Sequence, residues 1–273
     1  MPPRDNFMDA RIPDLIRPAL EYYARRMEQA RPGFMRAFYL HGSIALGAFE
    51  PRWSDIDFIA VIACQATPQD IDGLRLVHRE IRTRYPQWEW EGSYLQEQDL
   101  GHFDKEVEPG PCYYDGELHA QAHRGLNSVT WWTLKNRGIA VIGPPPQDLA
   151  FVVDWDLLIR QMAKNLNTFW AGWAYRPGEM VKLLTDYGIQ WAVLGVLRQY
   201  YTFRENDITS KTGAGNYALA HLPERWHPII RTALGIRAGA HKSYYRSRII
   251  RAVEAVRFLR YVIATCNADL QSQ

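Results

Sequence analysis

The chain has 273 residues, 47% of them hydrophobic and 23% charged, with a formal net charge of +2. That composition excludes a disordered chain, and no run of eighteen apolar residues is present to cross a membrane as a helix. Three cysteines, Cys64, Cys112 and Cys266, are far apart and odd in number, which excludes a complete disulfide framework and a metal-type cysteine motif.

The elements are expected in this order. Residues 9–30 read as a helix with Leu15, Ile16, Ala19, Leu20, Tyr22 and Tyr23 on a broad apolar face, ended by Pro32-Gly33. Arg36–His41 is a short apolar strand, followed by a small-residue turn and half-helix over Gly42–Gly47. Asp55–Ala63 is a β-branched run of the kind buried inside a sheet. Pro68 opens a helix with Ile71, Leu74, Val77, Ile81 and Tyr85 at three- and four-residue steps, and Pro86 stops it. Trp88–Leu95 alternates, with Trp88, Trp90 and Tyr94 on one face and Glu89, Glu91, Ser93 and Leu95 on the other. Residues 97–117 are charged, with scattered Pro and Gly, and read as an irregular excursion. Ser128–Asn136 reads as a helix and Ile139–Ile142 as a short strand.

Gly143-Pro144-Pro145-Pro146 then breaks the pattern and marks a domain boundary. Helical spacing fills the rest, over 154–169, 179–203, 213–221, 225–234 and 244–264, with no alternating strand after Ile142. The expected architecture is an α/β unit followed by a helical bundle. Divided at Ala150, the net charge separates into −5 for residues 1–150 and +7 for residues 151–273. Opposite signs suggest surfaces that face ligands of different charge. The N-terminal fifteen residues show no apolar run followed by a small-residue cleavage site, so a soluble, cytoplasmic protein is expected.

Tyr39–Ile62 carries the chemistry: YLHGSIALGAFEPRWSDIDFIAVI. A strand runs into Gly42-Ser43 at the start of a helix, and twelve residues after Ser43 a second strand opens with Asp55-Ile56-Asp57. Strand alternation points Asp55 and Asp57 to one side. Two carboxylates held so close call for a cation, and Mg²⁺ is the hard divalent partner they suit. The Gly-Ser turn offers backbone N–H groups and a hydroxyl to phosphate oxygens. Cradle and carboxylates together read as nucleotide chemistry.

This stretch resembles the nucleotidyltransferase superfamily that includes DNA polymerase β, whose pattern is hydrophobic-Gly-Ser and then Asp-hydrophobic-Asp. Gly143-Pro144, then Ser210-Lys211, Tyr217-Ala218, Leu222-Pro223 and Trp226-His227-Pro228, are similar to the aminoglycoside 3″-adenylyltransferases that modify streptomycin and spectinomycin. The resemblance implies an α+β fold. A polymerase-β-like catalytic domain, with a small mixed sheet and helices, spans 1–150, and an all-α bundle that closes on substrate and nucleotide spans 151–273. It implies that Asp55, Asp57 and Glu91 are catalytic and hold two Mg²⁺ ions, with Glu91 as general base and Glu89 as its alternative. Ser43 and the Gly42 backbone would grip the ATP phosphates, with Ser54 beside them. Arg198 and Lys211, thirteen residues apart, would contact nucleotide phosphates, and Arg237 is a further candidate.

The implied reaction transfers AMP from ATP to a hydroxyl of a small cationic aminoglycoside-type substrate and releases pyrophosphate. Antibiotic resistance is the corresponding biological role. The family recognises its drugs through a Trp and acidic residues near the domain junction. Trp155, Trp170, Trp173, Asp154, Asp156, Glu179 and Asp186 are available there, but their spacing assigns none of them. Residues 225–260 hold nine basic residues against one acidic, Glu254, which reads as a solvated helix face or an RNA-binding stripe. A nucleotidyltransferase acting on RNA or on a protein side chain is therefore an alternative, although no RNA-reading motif is present. A non-catalytic nucleotide sensor is another, and the intact carboxylates argue against it.

Overall fold

Six strands and the helices that cover them make up the first of two units in this computed structural model, which describes residues 9–123, 125–240 and 243–271. Residues 1–8 of the N-terminal stretch and Lys242 of the basic stretch lie outside the described residues. The units are Met1–Asp154 and Trp155–Gln273. The fold class is α+β.

In the first unit the strands are β1 (Met35–Leu40), β2 (Ile56–Ile62), β3 (Trp90–Gln96), β4 (Gly110–Tyr114), β5 (Glu117–Ala122) and β6 (Ile139–Ile142). Their order across the sheet is β5-β4-β3-β2-β1-β6. The β2–β3 pair is parallel, and the other four pairs are antiparallel. The helices are α1 (Arg17–Ala30), α2 (Gly42–Ala45), α3 (Pro68–Arg84) and α4 (Ser128–Arg137).

Alternation along β1 and β2 sorts the side chains into two cores. Phe38, Leu40, Phe58, Ala60 and Ile62 pack with Leu20 and Tyr23 of α1 and Leu74 and Val77 of α3. Tyr39, Ile59 and Val61 pack on the other face with Leu95, Trp131 and Leu134. Burial on both faces explains why β2 reads as one apolar run after Asp57. Helix α3 starts on a capping box in which Thr67 and Asp70 satisfy each other's backbone N–H groups.

Two expectations for this unit are corrected. The first helix starts at Arg17 rather than residue 9, with Pro18 in its first turn, where a missing N–H costs nothing. Leu15 consequently lies outside it, 47% exposed, whereas Ile16, Ala19, Leu20 and Tyr23 are buried. The stretch 97–117 is not wholly irregular, because β4 lies within it and pairs with β5. Asp115 and Gly116 both adopt positive φ, 51° and 74°, which suits a two-residue hairpin turn.

The second unit contains α5 (Trp155–Asn165), α6 (Ala171–Tyr175), α7 (Pro177–Met180), α8 (Asp186–Glu205), α9 (Lys211–His221), α10 (His227–Arg237) and α11 (Arg248–Gln271). No strand occurs in it among the described residues. Helix α8 is its axis, packed against α9, α10 and α11. Its Gly195 faces the Trp170 ring, and a Cβ there would overlap that ring. The continuous helix expected over 179–203 is divided instead. Thr185 caps α8 by accepting from Gly188 N–H, so the residues before it form a separate turn. Among the described residues, no helix is long and apolar enough to cross a membrane.

Candidate active site

The turn between β1 and β2 is built around Gly42. Its φ of +57° is the left-handed conformation that glycine adopts without strain. A Cβ there would overlap Oδ2 of Asp57 and lie 2.7 Å from its Cγ. The glycine is thus required twice, for backbone conformation and for the close approach of a carboxylate. His41 N–H donates to the Asp57 carbonyl at 3.1 Å, which ties the turn to the start of β2. The Ser43 hydroxyl is buried and has no hydrogen-bond partner among the described residues. An unmet hydroxyl beside a carboxylate is costly unless a ligand satisfies it.

Glu91 enters the same site through strand pairing. In the parallel β2–β3 ladder, Asp57 is the register partner of Glu91. Both are half-buried, and alternation carries Asp55, just before β2, to the same side. Glu89 is exposed, and its backbone carbonyl accepts from Ile56 N–H at 2.8 Å. The structure therefore brings together Gly42, Ser43, Asp57 and Glu91, with Asp55 alongside. Ser54 closes the preceding loop, its hydroxyl accepting from Glu50 N–H at 2.9 Å.

Two features of the site went unread in the sequence. Gly92, next to Glu91, has no space for a Cβ because the Phe58 carbonyl and ring occupy it. Its only sequence signal is a glycine inside a strand pattern. His41 is the other. Burial pushes its imidazole down to about 4, partly offset by a hydrogen bond to the Phe58 backbone.

The donor set suits a divalent cation held chiefly by its other ligands. Among the described residues, no group of three or more His, Cys, Asp or Glu side chains stands ready as a metal cage. Mg²⁺ does not need one, since it binds through one or two carboxylates and completes its shell with phosphate oxygens and water. Adjacent carboxylates with the unmet Ser43 hydroxyl fit that mode.

The second unit holds the remaining candidates. Arg198 is half-buried on α8. Lys211 is the first residue of α9, with Nζ 3.9 Å from the Trp191 ring centroid. Arg237 is 5% exposed and donates to Gln190 Oε1 at 3.3 Å, which places its guanidinium inside the bundle. Of the acidic candidates, Glu179 pairs with Lys182 at 2.7 Å and Asp186 with Arg251 at 2.7 Å. Trp170 and Trp173 are both buried, whereas Trp155 Nε1 reaches Asn206 at 3.4 Å.

Comparison with known proteins adds two findings. Residues 181–264 match the family model described as aminoglycoside adenylyltransferase, C-terminal domain. The fold matches a crystal structure of spectinomycin adenyltransferase AAD(9) from Enterococcus faecialis with ATP and spectinomycin, at a TM-score of 0.66 and 14% identity. That match covers 89% of this chain and 98% of the other. No curated protein matches the chain.

Proposed function

We propose that this aminoglycoside adenylyltransferase-like protein transfers AMP from ATP to a hydroxyl of an aminoglycoside-type small molecule, releasing pyrophosphate. The observation that carries the reading is the register pairing of Asp57 with Glu91 beside the Gly42-Ser43 turn. The likeness in fold to an enzyme solved with ATP and spectinomycin supports it.

Asp55, Asp57 and Glu91 are the carboxylates from which Mg²⁺ would take its one or two protein ligands, the phosphates and water completing its shell. When bound, the cation supplies charge neutralisation at the phosphates. The Ser43 hydroxyl and the backbone N–H groups of the Gly42 turn bind the terminal phosphates, giving the buried hydroxyl its missing partner. Glu91 takes the proton from the substrate hydroxyl as its oxygen attacks the α-phosphorus, and the bond to the leaving pyrophosphate breaks in line. Arg198 and Lys211 of the second unit are proposed phosphate contacts.

The test is pyrophosphate release with ATP and Mg²⁺ against streptomycin, spectinomycin, other aminoglycosides and tRNA. Release with an aminoglycoside and none with tRNA is expected. Release with tRNA alone transfers the reading to an RNA substrate. Release with no acceptor would overturn the aminoglycoside assignment and favour a protein substrate or a sensor.

A further inference from the structure

Helix α3 carries Arg75, His78, Arg79 and Arg82 along one side, at helical steps of three and four. With the β4–β5 hairpin residues 113 and 116–118, they line a cavity in the first unit. Helix α3 packs on the Phe58 side of the sheet, whereas Asp57 and Glu91 belong by alternation to the Ile59 side. The cavity is therefore remote from the Gly42-Ser43 turn by topology.

Its guanidinium groups are in different states. Arg82 Nη1 donates to the Gly116 carbonyl at 3.1 Å, and the hairpin turn lies against it. Arg75 pairs with exposed Asp72 at 3.0 Å. Arg79 is exposed and has no ion pair or side-chain hydrogen bond among the described residues. Among the described residues, Glu117 is the single carboxylate in the lining against three arginines, so the cavity remains cationic.

The wall behind these guanidinium groups is buried and rigid. His78 is 1% exposed, stacks on Tyr113 at 3.8 Å, and places Nε2 2.6 Å from the Tyr94 hydroxyl. Its Nδ1 is buried without a hydrogen-bond partner among the described residues. The Tyr23–Tyr94–His78 hydrogen bonds fix the imidazole in the cavity wall. Planar guanidinium donors match phosphate oxygens two at a time.

We propose that this cavity is a phosphate-binding site, distinct from the catalytic turn, that takes the phosphate group of a small molecule. Arg79 makes the principal contact because, among the described residues, no other group occupies its guanidinium. Arg82 and Arg75 contribute to the cationic wall.

The test is calorimetric titration with inorganic phosphate and, separately, with a sugar phosphate, in EDTA at ionic strength matched with chloride. Four proteins are compared: wild type, Arg79→Gln, Arg84→Gln as an off-stripe control on the same helix, and Ser43→Ala. Saturable binding is expected, weakened about tenfold or more in Arg79→Gln and unchanged in Arg84→Gln and Ser43→Ala. Arg79→Gln removes no intramolecular bond, so its unfolding midpoint without phosphate stays at the wild-type value. A sugar phosphate that binds more tightly than phosphate assigns the site to a phosphorylated metabolite, and equal affinities assign it to the free anion. Loss of binding in Ser43→Ala would place the anion at the catalytic turn. Equal loss in Arg84→Gln, or no saturable binding at all, would reduce the cavity to diffuse surface charge. Either result overturns the proposal.

Discussion

At the scale of single residues, the candidate active site depends on atoms that are absent as much as on those present. Gly42 has no Cβ where Asp57 needs space, and its positive φ would cost another residue about 1–2 kcal/mol. Gly42→Ala is therefore expected to lower the unfolding midpoint and to displace the Asp57 carboxylate, reducing turnover more than stability. Comparing kcat with urea midpoints checks the ratio. Asp57→Asn changes charge with almost no change in volume at a half-buried position. Turnover should fall about 10³-fold or more while stability stays within about 0.5 kcal/mol. A near-normal rate would remove Asp57 from the chemistry. Lys211→Ala should raise the KM for ATP or lower kcat, with a small stability loss from its contact with Trp191. A change confined to drug affinity would reassign it.

Elements hold these residues through hydrogen bonds that join distant parts of the chain. Tyr94 on β3 meets Tyr23 of α1 at 2.5 Å and His78 of α3 at 2.6 Å, all buried. Tyr94→Phe leaves two buried polar groups unpartnered, so destabilisation of about 1–3 kcal/mol is expected in urea unfolding. A neutral outcome would mean that the two partners satisfy each other after repacking. Several elements were legible from local signals. The β2 apolar run and the Thr67–Pro68 start of α3 depend on neighbours within a few residues. The β4–β5 hairpin was not read. Its Asp115-Gly116 turn signal is present, but it is flanked by an edge strand, ELHAQA, that alternates yet holds no β-branched or aromatic residue to mark it as a strand. The division of the expected 179–203 helix depends on a single capping hydroxyl, Thr185.

For the whole molecule, two neutral histidines, buried His78 and half-buried His41, couple folding to pH. Burial pushes His78 down to about 3 and His41 down to about 4, against an unfolded value near 6.5. As pH falls below 6.5 the unfolded chain takes up these protons and the native protein does not. Stability is therefore full above that value and declines as pH falls toward 4. Each histidine accounts for about 2 kcal/mol between pH 7 and pH 5. Urea unfolding at the two pH values should show this loss, and His78→Gln should reduce it. An unchanged loss in that variant would mean that His78 is protonated in the native state.

The sequence by itself determined the Gly42-Ser43 turn, the Asp55-x-Asp57 strand entry and the succession of an α/β unit and a helical bundle. Turn conformation, strand alternation and helical spacing are properties of short segments, and each leaves a local pattern. Only the tertiary structure decided that Glu91, rather than Glu89, stands beside Asp57. It also decided that Arg75, Arg79 and Arg82 share a cavity with His78 and the hairpin. Both outcomes depend on which strand pairs with which, and in what register. A slip of one residue would exchange Glu91 for a neighbour facing the opposite side of the sheet. Pairing joins segments more than thirty residues apart through packing on both faces of the sheet, and no window of sequence contains that information.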